Sequence, residues 1–253
     1  MPHHKVGLFY GAVLKIFIFF IPFYLFAETK FEHESELAIL RTQGNTEVET
    51  YNYQTKSKYE FGKRTLKNKG HYTVGFAREE LDDGSLGEKT ENARNWEVGM
   101  TYLQKLSKKI EALVATNYEG NEFLGIKQRE NYDIGLHFNF IENDKAEMNL
   151  DVTSRYTEEH RLDESLYFNK ANLNFVRIDH FNEILTTEVE IQYLPNFTRD
   201  EDYQINAQTA LIVNLDKTFS LKLAYKAQYD NEPNQENNVR LDTTYTTSLL
   251  ARF

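Results

Sequence analysis

The chain has 253 residues, of which 27% are charged and 14% aromatic, and it contains no cysteine. Its 39 acidic residues exceed its 29 basic ones, for a formal net charge of −10. This composition excludes a polytopic helical membrane protein, which needs several apolar runs of about 20 residues, and a disulfide or zinc–thiolate scaffold. It also argues against a nucleic-acid partner, because binding phosphates requires clustered Lys and Arg.

Residues 1–27 have the pattern of a secretory signal peptide. Lys5 and Lys15 precede an apolar run over 16–26, and Ala27 supplies a small residue at the cleavage point. A basic region, an apolar segment of about 7–15 residues and a small residue define such a signal. An uncleaved anchor helix is the alternative, but Lys15 and Pro22 interrupt it.

Residues 28–253 form one predicted domain in which apolar side chains recur at every second position. Met148, Leu150 and Val152, for example, alternate with polar neighbours. A period of two indicates β-strands with one apolar and one polar face. We predict about twelve strands, near 34–42, 46–61, 70–79, 94–106, 109–119, 130–141, 145–156, 166–178, 183–194, 203–215, 217–230 and 238–253.

Strand length and loop length favour a membrane barrel over a soluble β-sandwich. Most predicted strands reach ten residues, against a usual mode of about 5–6, and a strand that crosses a bilayer needs about 9–11. Outer-membrane barrels pair short periplasmic turns with long outer loops. We predict short links at 107–109, 142–144, 179–182 and Asp216, and long ones at 79–93, 119–130, 156–166, 195–203 and 231–239. The first two connections break this alternation, being a tight turn at 42–46 and a longer link at 62–69.

Aromatic residues on the apolar parity end many of these strands. Those before long loops are Tyr118, Tyr156, Tyr193 and Tyr229, and those at the other rim are Phe61, Tyr102, Phe140 and Phe253. Two aromatic girdles around an apolar band are typical of two lipid–water interfaces, whereas ordinary aromatic enrichment in strands is the alternative. The sequence therefore predicts an all-β fold, a closed, antiparallel, up-and-down transmembrane β-barrel in the outer membrane.

Two stretches resemble a known family. One joins Leu-Arg-Thr-Gln-Gly-Asn-Thr at 40–46 to Thr-Tyr-Asn-Tyr at 50–53 and Lys-Tyr-Glu-Phe at 58–61; the other joins 229–233 to Asp-Thr-Thr at 242–244. They resemble the salt-induced outer-membrane proteins, a family with a domain of unknown function, over all of 33–253. The resemblance implies a Gram-negative outer-membrane barrel and supplies no catalytic residue.

The last residue also resembles a recognition signal. A terminal aromatic on the lipid-facing parity, here Phe253, is similar to the C-terminal signal read by the barrel assembly machinery, which is therefore an expected partner. Ser248 and Ala251 depart from the residues that this signal prefers.

The inward parity carries many charges. The predicted lumen residues are Glu36, Glu60, Glu97, Asp133, Glu147, Asp151, Glu188, Glu190, Asp230, Asp242, Lys56, Lys58, Arg155, Lys170, Lys222, Lys226, Arg240 and Arg252. Charged walls can determine selectivity in a pore, but near-balanced charges also favour a salt-bridge lattice that fills the lumen, at about 0.2–1 kcal/mol per pair. Twelve strands lie between about eight, where side chains fill the interior, and sixteen, where a channel opens. The lattice is our leading interpretation, with a narrow pore for ions or small solutes as the alternative.

The long connections hold 18 acidic and 5 basic residues, with clusters at Asp82-Asp83 and Asp200-Glu201-Asp202. Carboxylates suit Ca²⁺ or Mg²⁺, so such ions could link these loops to lipopolysaccharide phosphates. No loop has an ordered ligand spacing, and solvated acidic loops are the favoured interpretation. We predict no metal site and no cofactor.

Catalytic signals are weak. His160 near Asp163 imitates half of an Asp–His pair, and a lipase would need a Ser–His pair with an orienting partner. His137 has inward parity beside Asp133 and Asn139, which favours a hydrogen-bonding role in the lumen. With no phosphate loop or nucleophile elbow, the sequence predicts a non-enzymatic protein, an outer-membrane hydrolase being the less favoured alternative.

Overall fold

Antiparallel strands account for nearly all of the described chain. The computed structural model describes residues 29–42, 46–79, 87–161, 163–233 and 239–253. Within them lie one 3₁₀-helix, Glu122–Leu124, and twelve strands: β1 Thr29–Thr42, β2 Thr46–Phe61, β3 Arg64–Glu79, β4 Thr90–Lys105, β5 Ile110–Asn121, β6 Ile126–Asn143, β7 Ala146–Arg161, β8 Ser165–His180, β9 Leu185–Pro195, β10 Tyr203–Asn214, β11 Phe219–Asp230 and β12 Leu241–Arg252. The predicted signal peptide over 1–27 lies outside the described residues. Among the described residues, no helix is long and apolar enough to span a membrane.

The strands close into a barrel. Each strand pairs with its neighbours in the chain, and β1 pairs with β12, which confirms the predicted fold class. This closing ladder is short, running from Glu34↔Arg252 to Leu37↔Leu249. Two further backbone hydrogen bonds extend it, since the Phe253 N–H donates to the His33 carbonyl at 2.8 Å and the His33 N–H to the Phe253 carbonyl at 2.9 Å. The last residue of the chain therefore belongs to the seam.

Several strands are longer than predicted. β3 begins at Arg64, so the predicted link at 62–69 is wrong and a two-residue turn takes its place, with Gly62 at φ 62°. β7 and β8 likewise extend through most of the predicted loop at 156–166. Both segments hold few apolar residues, so they carry too little alternation for a strand to be recognised.

The two rims of the barrel are built differently. The terminal rim carries both ends of the described barrel and the turns at 62–63, 106–109, 144–145, 181–184 and 215–218. The distal rim carries the opposite ends of the strands, and the connections there that are described in full are 122–125 and 196–202. All turns of the terminal rim are short, as predicted. At the distal rim the predicted long connections at 119–130 and 156–166 are wrong, because β5 and β7 continue to Asn121 and Arg161 and the next strands begin at Ile126 and Ser165.

Four of the terminal-rim turns share one hydrogen-bonding pattern. The side-chain oxygen of residue i accepts hydrogen bonds from the backbone N–H groups of residues i+2 and i+3, at 2.7–3.3 Å, with Ser107, Asn143, Asn182 and Asp216 as residue i. At Asp216 these two donors lower the pKa of the carboxyl group below its ordinary value. Such side-chain turns compete well with other local structures, and they fix each hairpin.

Tyrosines form rows on the outer face near the distal rim. Along β5–β8, neighbouring ring centroids lie 6.3–6.5 Å apart, through Tyr118, Tyr132, Tyr156 and Tyr167. Along β9–β11 the separations are 6.1 and 5.8 Å, through Tyr193, Tyr203 and Tyr229. At the terminal end, Phe140 and Phe253 are exposed, Phe61 and Tyr102 are half-buried, and a register shift in β6 leaves Phe140 without a direct partner on β7.

The outer face of β1–β3 departs from the predicted apolar parity. Neighbouring positions there hold small or polar residues in two rows, His33, Ser57 and Asn68 in one and Ser35, Thr55 and Gly70 in the next. His33 Nδ1 lies 2.9 Å from Ser57 Oγ, and its Nε2 lies 3.0 Å from Ser35 Oγ. The polar side chains of His33, Ser35 and Ser57 therefore hydrogen-bond to one another on the outer face.

One glycine permits the close approach of β6 and β7. A Cβ at Gly135 would overlap the Val152 carbonyl oxygen and lie 2.7 Å from Thr153 Cα, and backbone atoms cannot yield as side chains do. A Cβ at Gly70 would lie 3.1 Å from the Thr55 methyl group and 4.0 Å from the Glu97 carbonyl oxygen, so its one tight contact is with a side chain.

We predict that Gly135→Ala sharply lowers the fraction of refolded protein that migrates differently from boiled protein on a gel. Gly70→Ala is the control, and equal yields of both variants would contradict this packing.

Candidate functional site

Most of the predicted lumen charges lie on the inward parity of the strands. The structure places Glu60 on β2, Glu97 on β4, Asp133 on β6, Glu147, Asp151 and Arg155 on β7, Lys170 on β8, Glu188 and Glu190 on β9, and Lys222 and Lys226 on β11. Arg240 is different, because it precedes β12, is exposed, and uses its carbonyl to accept from the Asp230 N–H at 2.8 Å. This hydrogen bond continues the β11–β12 ladder, and the lumen position of Arg240 stays a prediction.

A buried carboxylate lies at the centre of one ion-pair network. Asp133 is 3% exposed and accepts hydrogen bonds from Arg155 Nε at 3.1 Å and Nη2 at 2.9 Å. Thr153 Oγ1 and Asn172 Nδ2 donate to the same carboxylate at 2.7 and 3.1 Å. Both oxygens are thus satisfied, which is the condition under which a buried charge is tolerated.

A second network lies nearer the distal rim. Arg129 bridges Glu119 at 3.0 Å and Glu159 at 2.6 Å, and Arg161 also binds Glu159 at 2.6 Å. The sequence prediction missed these residues because it assigned most of them to loops. Their alternating placement of Glu and Arg on neighbouring strands was the signal that could have identified them.

A third network fills the side of the lumen formed by β1 and β9–β12. Lys222 Nζ lies 3.0 Å from Glu36 and 3.7 Å from Glu188, and Ser248 Oγ donates to Glu36 at 2.6 Å. Ile212 and Leu250 beside it are fully buried. This part of the lumen is packed with side chains.

His137 hydrogen-bonds inside the lumen, whereas His160 hydrogen-bonds on the outer face. His137 Nδ1 lies 2.5 Å from Asp151 and its Nε2 lies 3.0 Å from Asn139, so it hydrogen-bonds in the lumen, although Asp133 is not its partner. His160 lies on the outer parity, with Nδ1 2.8 Å from Ser165 Oγ and Nε2 3.3 Å from a Glu158 oxygen. The predicted pairing of His160 with Asp163 is absent from its described contacts, and a Glu–His–Ser arrangement replaces it.

The distal part of the lumen is open to solvent. A cavity of about 210 Å³, continuous with solvent, is lined by residues from β3 to β12, among them Lys69, Glu97, Arg129, Gln192 and Asp242. The Lys69 side chain pairs with Glu97 yet is 53% exposed, although it points inward. Ion pairs therefore follow the wall here without closing the space between the walls.

A smaller cavity lies where the two walls approach each other. Its volume is about 80 Å³, and its lining includes Lys56 from β2 together with Glu188 and Glu190 from β9. β2 and β9 lie nearly opposite each other in the barrel. We call this region the constriction, since one cavity touches both walls.

The acidic connections show no metal-binding geometry within the described residues, which contain no group of three His, Asp or Glu side chains able to hold an ion. Asp202 instead accepts a hydrogen bond from Asn196 Nδ2 at 2.6 Å. The Asp82-Asp83 cluster lies outside the described residues.

Sequence comparison identifies one family. A family model described as "Protein of unknown function, DUF481" matches residues 35–253. No curated protein sequence matches the chain.

Structural comparison finds outer-membrane barrels of low sequence identity. The chain is similar to the NanC porin (9% identity, TM-score 0.48, covering 88% of this chain and 98% of that one) and to the KdgM porin (14%, 0.45, 88% and 99%). It is also similar to the COG4313 outer membrane channel from Pseudomonas putida F1 (8%, 0.49, 90% and 95%). Likeness at this level does not support a shared function.

The buried network around Asp133 predicts a large loss of stability in Arg155→Met. Removing the arginine leaves Asp133 buried without its counter-ion, which typically costs about 3–5 kcal/mol. Arg177→Met is the matched control, because Arg177 also binds one aspartate, Asp179, at 2.7 Å but is exposed, and such pairs contribute about 0–1 kcal/mol. Denaturant titration of the refolded barrels in lipid vesicles measures both, and equal losses would contradict the assignment of Asp133 as a buried, paired charge.

Proposed function

Because the chain belongs to the DUF481 family, whose function is unknown, we propose its function from its own lumen: a non-catalytic outer-membrane barrel that passes ions or small polar solutes through a narrow pore. The observation that carries this proposal is the solvent-accessible, charge-lined space inside the lumen, which residues from β2 to β12 line. It includes the large cavity, the constriction and the half-exposed Lys69.

The outer surface supports a membrane location. Large apolar side chains such as Val114 and Ile134 are 53% and 66% exposed on it. The rows of tyrosines lie near one end of this surface. A closed barrel and a helix are the two structures that satisfy all backbone groups in hydrocarbon, and barrels of this kind belong to outer membranes. Outer-membrane barrels place their short turns in the periplasm, so the terminal rim would face the periplasm.

The solvent-accessible cavities in the lumen favour a pore over a lumen filled by salt bridges. Salt bridges do line the walls, as the lattice interpretation expects, and the packed network around Lys222 occupies one side. Lys56, Lys69 and Glu190 nevertheless remain exposed on the lumen parity, so water reaches the level of the constriction. Charged groups around a hydrated path are the usual means of discriminating among ions.

We also propose two partners for the barrel, lipopolysaccharide and the barrel assembly machinery. The acidic distal connections would meet lipopolysaccharide through divalent cations, and Phe253 would contribute to recognition by the assembly machinery. A stress-adaptive, salt-induced role follows from the family resemblance alone and stays a prediction.

The pore makes a direct prediction for planar lipid bilayers. Refolded protein should produce discrete, reproducible conductance steps, whereas the same amount of boiled protein should not. A membrane that stays silent at all voltages, with protein shown to be folded by its shifted gel migration, would contradict the pore.

A second function, hydrolysis of lipid esters, is favoured by one observation. Ser165, His160 and Glu158 form a hydrogen-bonded nucleophile, base and carboxylate near the distal rim on the outer parity, as serine hydrolases require. This candidate predicts phospholipid hydrolysis in mixed micelles that Ser165→Ala and His160→Ala each abolish. If wild-type protein releases no fatty acid, the arrangement is a surface hydrogen-bond pair and this second function fails.

A further inference from the structure

The lumen wall formed by β2 and β3 brings four lysines together. In the β2–β3 register Lys56 lies opposite Lys69, and Lys58 lies opposite Lys67. All four share the inward parity, so they form a two-by-two block that we call the lysine cluster. Directly opposite residues have Cβ atoms about 4.5–5.5 Å apart, and like charges there are destabilising.

The repulsion within this cluster is only partly relieved. Lys69 pairs with Glu97, and Lys58 pairs with Glu60. Lys56 and Lys67 have no carboxylate within ion-pair distance among the described residues, and the Lys58 and Lys67 charges repel each other. Two ammonium groups on diagonal positions of the cluster thus lack a bound counter-ion.

The two unpaired lysines face acidic groups across the lumen, and one of them lines the constriction. Lys56 is exposed and lines the constriction opposite Glu188 and Glu190. The charge of Lys67 interacts with Asp151, Glu111 and Glu147, which stand on β5 and β7. The lysine cluster therefore forms a basic wall that faces acidic groups, with water-accessible space between them.

We propose that the lysine cluster is a binding site for the oxyanion group, carboxylate or phosphate, of small solutes in the lumen. An oxyanion between Lys56 and Lys67 would replace repulsion by two charge-assisted hydrogen bonds, which are stronger than neutral ones. The facing acids Glu188 and Glu190 repel solutes that carry several negative charges. This inference deepens the proposed pore by naming the class of solute that it favours.

The test compares two double variants of equal charge. Lys56→Gln with Lys67→Gln removes the unpaired ammonium groups, while Lys145→Gln with Lys217→Gln removes two exposed lysines from terminal-rim turns. Inorganic phosphate and acetate are titrated calorimetrically into folded protein in detergent at constant ionic strength. Folding of every variant is checked by gel migration, and Lys56→Gln alone serves if the lumen double variant fails to fold.

We expect wild-type protein and the turn variant to bind an oxyanion, and the lumen variant to bind it about tenfold more weakly or not at all. Stronger binding of phosphate than of acetate would identify phosphate-bearing solutes, and the reverse would identify carboxylates. In a KCl gradient across a bilayer, the reversal potential of the lumen variant should shift toward cation selectivity, whereas that of the turn variant should not.

The two proposals fail separately. Protein that is silent in bilayers but binds an oxyanion through Lys56 and Lys67 would overturn the pore and keep the anion site. Protein that conducts, yet binds neither anion or keeps its affinity and reversal potential in the lumen variant, would overturn the anion site and keep the pore.

Discussion

The constraint on which this structure depends is that every backbone N–H and C=O within hydrocarbon must find a partner in the protein. The sheet meets it by closing through the short β1–β12 ladder, which the final residue, Phe253, extends. Closure has a second consequence, because it encloses half of the side chains in a lumen of fixed width. The outward half can then be apolar and the inward half charged, although no single strand could hold those charges in a bilayer by itself.

Charged side chains in the lumen occur in two environments, one buried and paired, the other solvent-accessible. Where β1 packs closely against β11 and β12, a carboxylate is buried together with its partners, as Glu36 is with Lys222 and Ser248. Where β2 and β3 face the cavities, lysines lie opposite lysines, and water screens the repulsion between their charges. The first arrangement holds the barrel together. The second arrangement destabilises the sheet, because like charges lie opposite each other. Its location at the constriction is explained if the lysines bind an anionic solute.

Parity along the chain predicted the architecture because a period of two directly reflects burial on one face. The same method failed at 64–69, where Arg64 and Asn68 are polar outward and the inward residues are polar too. That failure hid the lysine cluster: Lys56 and Lys58 were assigned to the lumen, but Lys67 and Lys69 were assigned to a link. Their register depends on a two-residue turn at Gly62, and a one-residue error there would change every cross-strand pair.

The central claim is that water reaches the lumen wall at Lys56, and cysteine accessibility measures this directly because the chain has no cysteine of its own. Lys56→Cys and the outward-facing control Ile134→Cys would each be refolded into lipid vesicles and treated with a water-soluble, negatively charged methanethiosulfonate reagent. The account predicts rapid labelling at position 56 and none at position 134. Absence of labelling at position 56 in folded protein, or equal labelling at both positions, would contradict a hydrated lumen.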